Sequence, residues 1–394
     1  MDLLIHWIWF SQLEGLSQRQ KMNLLRQGYE PEDLYHGQEE SLQNLEGMQP
    51  DFVQALCQKD LSEARQIGED CRQKGIHILT FRDAAYPNRL RHVEDGPVLL
   101  YYQGVLPDWD ARPVIALVGT RKATPYGLRV GRSIAGQITA CGGLVISGGA
   151  FGVDTAAMEA ALEAGYPTVG VLGSGVDVVY PASNRRLFRE VIAKGCILSE
   201  YPPGTKPEYW HFPQRNRIIS GLSHGVLVVE APRKSGALIT ARCALEQGRD
   251  VFVVPGNIDS ATCEGSNALL LDGAQPVMSG WDVLSSYSAR FPETVAKKDA
   301  PVVQEKTDEE ATCDKKDIDN PPKPPYSGLM DRHEDLNEEE RALLACLGAE
   351  PVLMDEVIAR SNIPAANVLR LMTVLSVKGL VTMHPGRRVS ANIE

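Results

Sequence analysis

The densest chemistry in the chain lies between positions 200 and 221. It runs Glu200-Tyr201-Pro202-Pro203-Gly204-Thr205-Lys206-Pro207, then Trp210-His211-Phe212-Pro213, then Arg215-Asn216-Arg217-Ile218-Ile219-Ser220-Gly221. Aromatic faces beside guanidinium groups at a helix start suit an unpaired polynucleotide, because bases stack on rings while phosphates meet Arg and exposed N–H groups. The same residues have a plainer use, in which Trp210 and Phe212 are core and Arg215 and Arg217 are solvated or pair with Glu230. The clustering favours the first use. Further on, Arg233 and Lys234 precede a helix start marked by Ser235. There they either extend a phosphate track or serve solubility alone.

Three more loops could meet an anion. Gly119-Thr120-Arg121, Ser147-Gly148-Gly149 and Gly173-Ser174-Gly175 each close a β-branched run. Glycine turns at one sheet edge can aim backbone N–H groups at a phosphate, and Arg121 can add a bidentate contact. Glycine at such turns also has a purely steric explanation, so the joint occurrence carries the argument.

Catalytic patterns are missing from the sequence. There is no GxGxxG with a later acid and no GxxxxGK[ST], which counts against hydride transfer and nucleotide hydrolysis. Asp154, Asp177 and Glu200 are the acids of these loops, and His211 and His224 the nearby imidazoles. They show neither metal spacing nor a nucleophile elbow, and Asp154 at a helix start is placed to cap N–H groups. No catalytic residue, metal or cofactor is expected.

The elements that must hold these loops follow from periodicity. VIALVGT, LVISGGA, PTVGVLGS, CILSEY, GVLVVEA and DVFVVPG are near-continuously apolar, as strands buried on both faces should be. Amphipathic stretches such as YGLRVGRSIAGQITACG and SGALITARCALEQGR separate them, so residues 76–290 form an α/β domain with a doubly wound, mostly parallel, Rossmann-like sheet. Residues 1–75 read as short helices broken at Gly15, Gly28, Pro31 and Pro50, a small helical domain of the SAM or helix-hairpin-helix kind. Residues 291–335 are charged, Pro-rich and poor in anything to bury, a disordered linker. Residues 336–394 read helix, helix, helix, hairpin with a turn at His384-Pro385-Gly386, a winged helix. Its third helix offers only Arg370 and Lys378, so a protein contact or weak DNA contact is expected of it rather than base reading.

Charge distribution refines the picture. The 394-residue chain carries a formal −11, which argues against a polyanion partner, yet residues 111–290 hold 17 basic and 14 acidic side chains. The middle is thus net positive between two acidic flanks, and distribution rather than total charge bears on a polyanion. At 43% hydrophobic and 23% charged the composition is globular. No apolar run approaches a membrane span, the opening MDLLIHWIWF lacks a basic leader segment, and the eight scattered cysteines suit reduced thiols in a cytoplasm.

These stretches also carry a resemblance. GTR, SGGAFGVD, VLGSGVDVVYPASN, SEYPPGTKP, HFPQRNRIISGLSHGVLVVEA, SGALITARCALEQGRDVFVVPG and GSNALLLDGAQPV follow the order and spacing of the DNA-processing protein A family (DprA, also called Smf), which the chain resembles over roughly residues 80–285. The resemblance implies a cytoplasmic, dimeric, non-enzymatic binder of single-stranded DNA that protects incoming strands and loads the RecA recombinase in natural transformation. By motif, the pocket would comprise Gly119, Thr120, Arg121, Ser147, Gly148, Gly149, Gly173, Ser174 and Gly175, with Phe212, Arg215, Asn216 and Arg217 continuing the strand path. Met158 stands where relatives often have His, and Tyr209 and Trp210 stand where some have Lys, which shifts the path toward stacking. The competing reading is a Rossmann-like hydrolase related to lysine-decarboxylase-like phosphoribohydrolases, whose PGGxGT run this chain lacks.

Overall fold

The computed structural model describes residues 2–298, 338–348, 352–361, 363, 367–368, 371–372, 375–376, 380–384 and 388–391. The chain divides into two compact units, residues 1–305 and 306–394.

The first unit is built on a sheet of nine strands: β1 (His77–Thr80), β2 (Leu99–Gly104), β3 (Val114–Val118), β4 (Leu144–Ser147), β5 (Thr168–Leu172), β6 (Cys196–Ser199), β7 (Gly225–Val228), β8 (Asp250–Val253) and β9 (Gln275–Pro276). Their spatial order is β1-β2-β6-β5-β4-β3-β7-β8-β9. From β6 to β9 every pairing is parallel, in registers such as Ile146 with Val169 and Leu117 with Leu227. The six apolar runs therefore form the expected doubly wound, mostly parallel sheet. Two antiparallel pairings, β1 with β2 and β2 with β6, widen it at one edge.

Strand alternation divides the core. Ile115 and Leu117 face one layer, with Ile134, Ile138, Ala157 and Ala161 from helices Pro125–Ala140 and Val153–Glu163. Val114, Ala116 and Val118 face the other, with Leu187, Phe188 and Val191 of helix Arg185–Lys194 and Ile218, Ile219 and Leu222 of helix His211–Leu222. Trp7, Ile8, Trp9, Phe10, Leu24 and Leu25 from the front helices belong to that second layer. The expected small helical region thus shares one continuous core with the sheet. Pro31 and Pro50, read as breaks, stand at helix starts, where a missing N–H costs nothing. Helix Asp2–Gln12, hidden in an almost unbroken apolar opening, was not distinguished from sequence.

Of the expected linker, residues 299–335 lie outside the described residues. The segment 291–298 still packs, since Phe291 and Val295 are buried in the layer holding Ile115. In the second unit, helices Glu338–Ala345 and Met354–Ser361 and a hairpin of Val381–His384 with Arg388–Ala391 surround a core of Leu343, Val357, Leu371, Leu375 and Val389. The described residues between 367 and 376 are helical, and Val352–Leu353 adds a third strand beside Arg388–Ala391. The helix-helix-helix-hairpin order is a winged helix. Arg370, Lys378 and the turn residues Pro385 and Gly386 lie outside the described residues.

One buried cluster makes the fold pH-sensitive. Nδ1 of His224, at the entry to β7, accepts the Val114 amide N–H at 2.9 Å, and Nε2 lies 2.9 Å from Nη1 of Arg89. Burial first, then Arg89, Arg290 and Arg249, push the imidazole from 6.5 down to about 3. A histidine depressed in the fold is protonated more readily when unfolded, so its contribution is present above pH 6.5 and is lost as pH falls toward 3. Between pH 7 and 4.5 we expect a loss of about 2–3 kcal/mol from this residue. Denaturant titrations of wild type and His224→Gln at both pH values measure it, and equal pH slopes in the two proteins would exclude His224 as the cause.

Candidate nucleic-acid interface

Sheet connectivity locates the site. The chain winds from β3 through β4 and β5 to β6, then crosses back to β7 on the other side of β3. Ligands of open parallel sheets bind beyond the carboxyl ends of the strands at such a reversal. There the structure has a cleft of about 520 Å³. Gly119, Thr120 and Arg121 follow β3 into it, Pro232, Lys234, Ser235 and Gly236 follow β7, and Tyr180 follows β5. Helix His211–Leu222 contributes Phe212, Arg215, Asn216 and Ile219. These four stand at i, i+3, i+4 and i+7, one face of a helix.

The rim is aromatic and cationic. The Arg121 guanidinium lies 4.8 Å over the Phe212 ring, and the Tyr180 ring is 5.6 Å from Phe212 at 37°. Lys234 and Arg121 are exposed, and Tyr209 lines the opening. Arg215 forms part of the floor: it is 4% exposed and donates through Nη1 to the Val171 carbonyl. Its Nε has no hydrogen-bond partner among the described residues. Gly148 is required beside it, since a Cβ there would collide with the guanidinium.

Asp154 is the buried anion of the cleft. Its carboxylate accepts the N–H groups of Gly148 at 3.1 Å and Ala150 at 3.4 Å, so it ties down the loop before its helix and does not cap the helix itself, the role its position had suggested. Burial pushes its pKa up to about 6 against the pull of Arg215, these amides and Arg121.

Several of the amides that the sequence offers to a phosphate are engaged within the protein. Besides Gly148 and Ala150, the Gly175 N–H goes to the Thr205 carbonyl at 3.0 Å and the Thr120 N–H to the Glu230 carbonyl at 2.7 Å. The Glu230 carboxylate is 1% exposed and pairs with neither Arg215 nor Arg217. It accepts the Thr124 N–H at 2.9 Å and Oγ1–H at 2.5 Å, capping helix Pro125–Ala140. A buried carboxylate on the same chain reaches those donors without the entropy of association, and the glycine pattern alone does not reveal it.

Other expected residues take supporting or separate positions. Ser147 is buried and donates to the Leu117 carbonyl, and Ser174 donates to Val178. Gly149 packs on Phe188, and Gly173 lies against Phe212, a contact a side chain would crowd. Asn216 donates to the Gly236 carbonyl at 3.1 Å, joining two walls of the cleft. Lys206 is exposed next to the lining residue Pro207, and Arg233 pairs with Glu264 at 2.8 Å. Arg217 does not join the cleft. It is bonded at 2.7 Å to both oxygens of Glu200 and lies 3.4 Å from Asp95, lining a different depression with Arg19 and Glu94. Tyr180 and the Thr124–Glu230 cap were missed as site features. The available signal for Tyr180 was an aromatic in the polar loop after β5.

Comparison with known proteins places the chain among relatives. The family described as DNA recombination-mediator protein A matches residues 77–288, and the DprA winged helix domain matches residues 327–387. The chain is 34% identical to Protein Smf of Synechocystis across 97% of each sequence. It is 45% identical to the DNA processing protein DprA of Streptococcus pneumoniae, over 52% of this chain and 72% of that one. The X-ray structure of the Streptococcus pneumoniae protein superposes with a TM-score of 0.63 at 35% identity, covering 71% of this chain and 97% of that one.

Proposed function

The chain belongs to the DNA recombination-mediator protein A family, DprA or Smf, and from that premise we propose that its cleft binds single-stranded DNA. The observation carrying this is the union, at one sheet reversal, of the rings of Tyr180, Tyr209 and Phe212 with the exposed cations Arg121 and Lys234. Unpaired bases have free faces for those rings, whereas duplex bases have already spent theirs on one another. In this reading the bound strand is protected and handed to the RecA recombinase in transformation and recombination, by a homodimer in the cytoplasm. No catalytic step is required, and Asp154 acts by holding the loop that packs on Arg215.

Two exposed cations on the rim set the salt dependence. Log affinity should fall with log salt at a slope of about −0.7 per phosphate neutralised on a single strand, hence about −1.4, or roughly sevenfold between 50 and 200 mM. Arg121→Ala should halve that slope and weaken all sequences alike. Fluorescence anisotropy of a labelled strand and its duplex at both salts reads it, and an unchanged slope would remove Arg121 from the site. Recombinase filament growth on strands precoated with single-strand-binding protein, with and without this protein, tests the loading step. Light scattering tests the dimer. Release of free base from nucleoside monophosphates would instead favour a hydrolase.

A further inference from the structure

We propose that Trp210, packed against the cleft-lining Tyr209, is a second stacking platform outside the cleft, which holds unpaired bases of a strand as it leaves the cleft. The proposal rests on the cleft being a single-strand site and extends it to a residue that does not line the cleft.

Exposure is the first support. Tyr209 is 79% exposed and Trp210 48%, large apolar areas to leave in water beside a ligand cleft. Support from below is the second. Tyr209 and Trp210 pack edge to face at 4.7 Å, and Trp210 meets His211 edge to face at 5.8 Å. His211 stacks on Tyr201 at 4.0 Å, and its Nδ1 lies 3.1 Å from the Gly173 carbonyl oxygen. Tyr201 in turn donates from its hydroxyl to Gln214 at 3.0 Å. Pro207 and Pro213 bracket the segment and fix φ at both ends. The rings are thus pre-positioned, which lowers the entropy of ordering them on a ligand.

Charge identifies what is held. Lys206 and Glu208 flank the platform with opposite signs, so it offers no net attraction to phosphate. The ring faces offer stacking to bases of any sequence. Tyr209 also lines the cleft, so the platform begins where the cleft ends and can receive the next nucleotides of the same strand.

The test compares the full chain with Trp210→Ala, which leaves the cleft-lining Tyr209 in place, using strands of about 4 and about 20 nucleotides at two salts. The variant should bind the longer strand about 10- to 100-fold more weakly, with the salt slope unchanged and the short strand bound as in wild type. Trp7, Trp9 and Trp109 are buried and Trp281 half-buried, so quenching of tryptophan emission by the longer strand should come mainly from Trp210 and be lost in Trp210→Phe, which keeps a stacking ring and near-normal affinity. Equal affinity of Trp210→Ala for the longer strand overturns the platform. So does an equal loss for both lengths, which would make the Trp210 ring part of the cleft wall, or a change in oligomer mass with DNA affinity intact. If wild type binds neither strand, the cleft reading itself fails and the platform with it, an outcome distinct from the others.

Discussion

Arg217→Ala is expected to lower folding stability by about 3–5 kcal/mol while leaving the cleft's affinity for DNA intact in the molecules that remain folded. The guanidinium is 10% exposed and holds both oxygens of a Glu200 carboxylate that is itself 12% exposed. Truncation strands that carboxylate in a low-dielectric interior, with Lys21, whose pKa burial lowers to about 8, as a cation that still acts on it. The control is Arg217→Met/Glu200→Leu. Removing both charges and keeping volume should recover most of the loss, because a buried pair contributes little over an apolar replacement. Chemical denaturation reads the stability and anisotropy the binding. An affinity loss in folded Arg217→Ala comparable to that of Arg121→Ala would return Arg217 to the strand path.

Phe212→Ala should weaken single-strand binding by about 5- to 150-fold, the range for losing one aromatic platform under a base. Its ring supports the Arg121 guanidinium and faces Tyr180, so truncation also frees a cation whose position depends on the π face. Phe212→Tyr should keep most of the affinity. Phe212→Leu, similar in bulk but without a π face, should behave like the alanine variant. If Leu binds as well as Phe, the ring is packing material and stacking plays no part there.

How far the fold and the site could be read from sequence differs by element. The parallel strands were legible because burial on both faces demands continuous β-branched runs, and VIALV and GVLV have no other use. Strands β1 and β2 extend one side of the sheet, where HILT grades from exposed to buried and LLYYQG from buried to half-buried, and neither gives such a run. In helix His211–Leu222 the sequence identified the residues but grouped Arg215 with Arg217. Residues two apart on a helix point to nearly opposite sides, and the structure sends the first to the cleft and the second to Glu200. Helical pitch alone could have separated them. The engaged amides were not legible, since no spacing rule tells whether a loop N–H faces a ligand, a nearby carboxylate as Gly148 does, or a distant carbonyl as Gly175 does.

Those engaged amides bear on competition in a cell crowded with free nucleotides. A phosphate cradle of open N–H groups would capture any mononucleotide, and abundant metabolites would keep it occupied. Here Asp154 already holds the Gly148 and Ala150 N–H groups after β4, and Glu230 holds the Thr124 N–H at the start of the helix after β3. A lone nucleotide therefore meets one or two side-chain cations and a ring, each a weak hold. A polymer gains from every further contact without another association cost, because its neighbouring nucleotides arrive at high effective concentration. In this reading, selection for long strands over monomers needs no gate: it follows from a protein that fills part of its own anion sites.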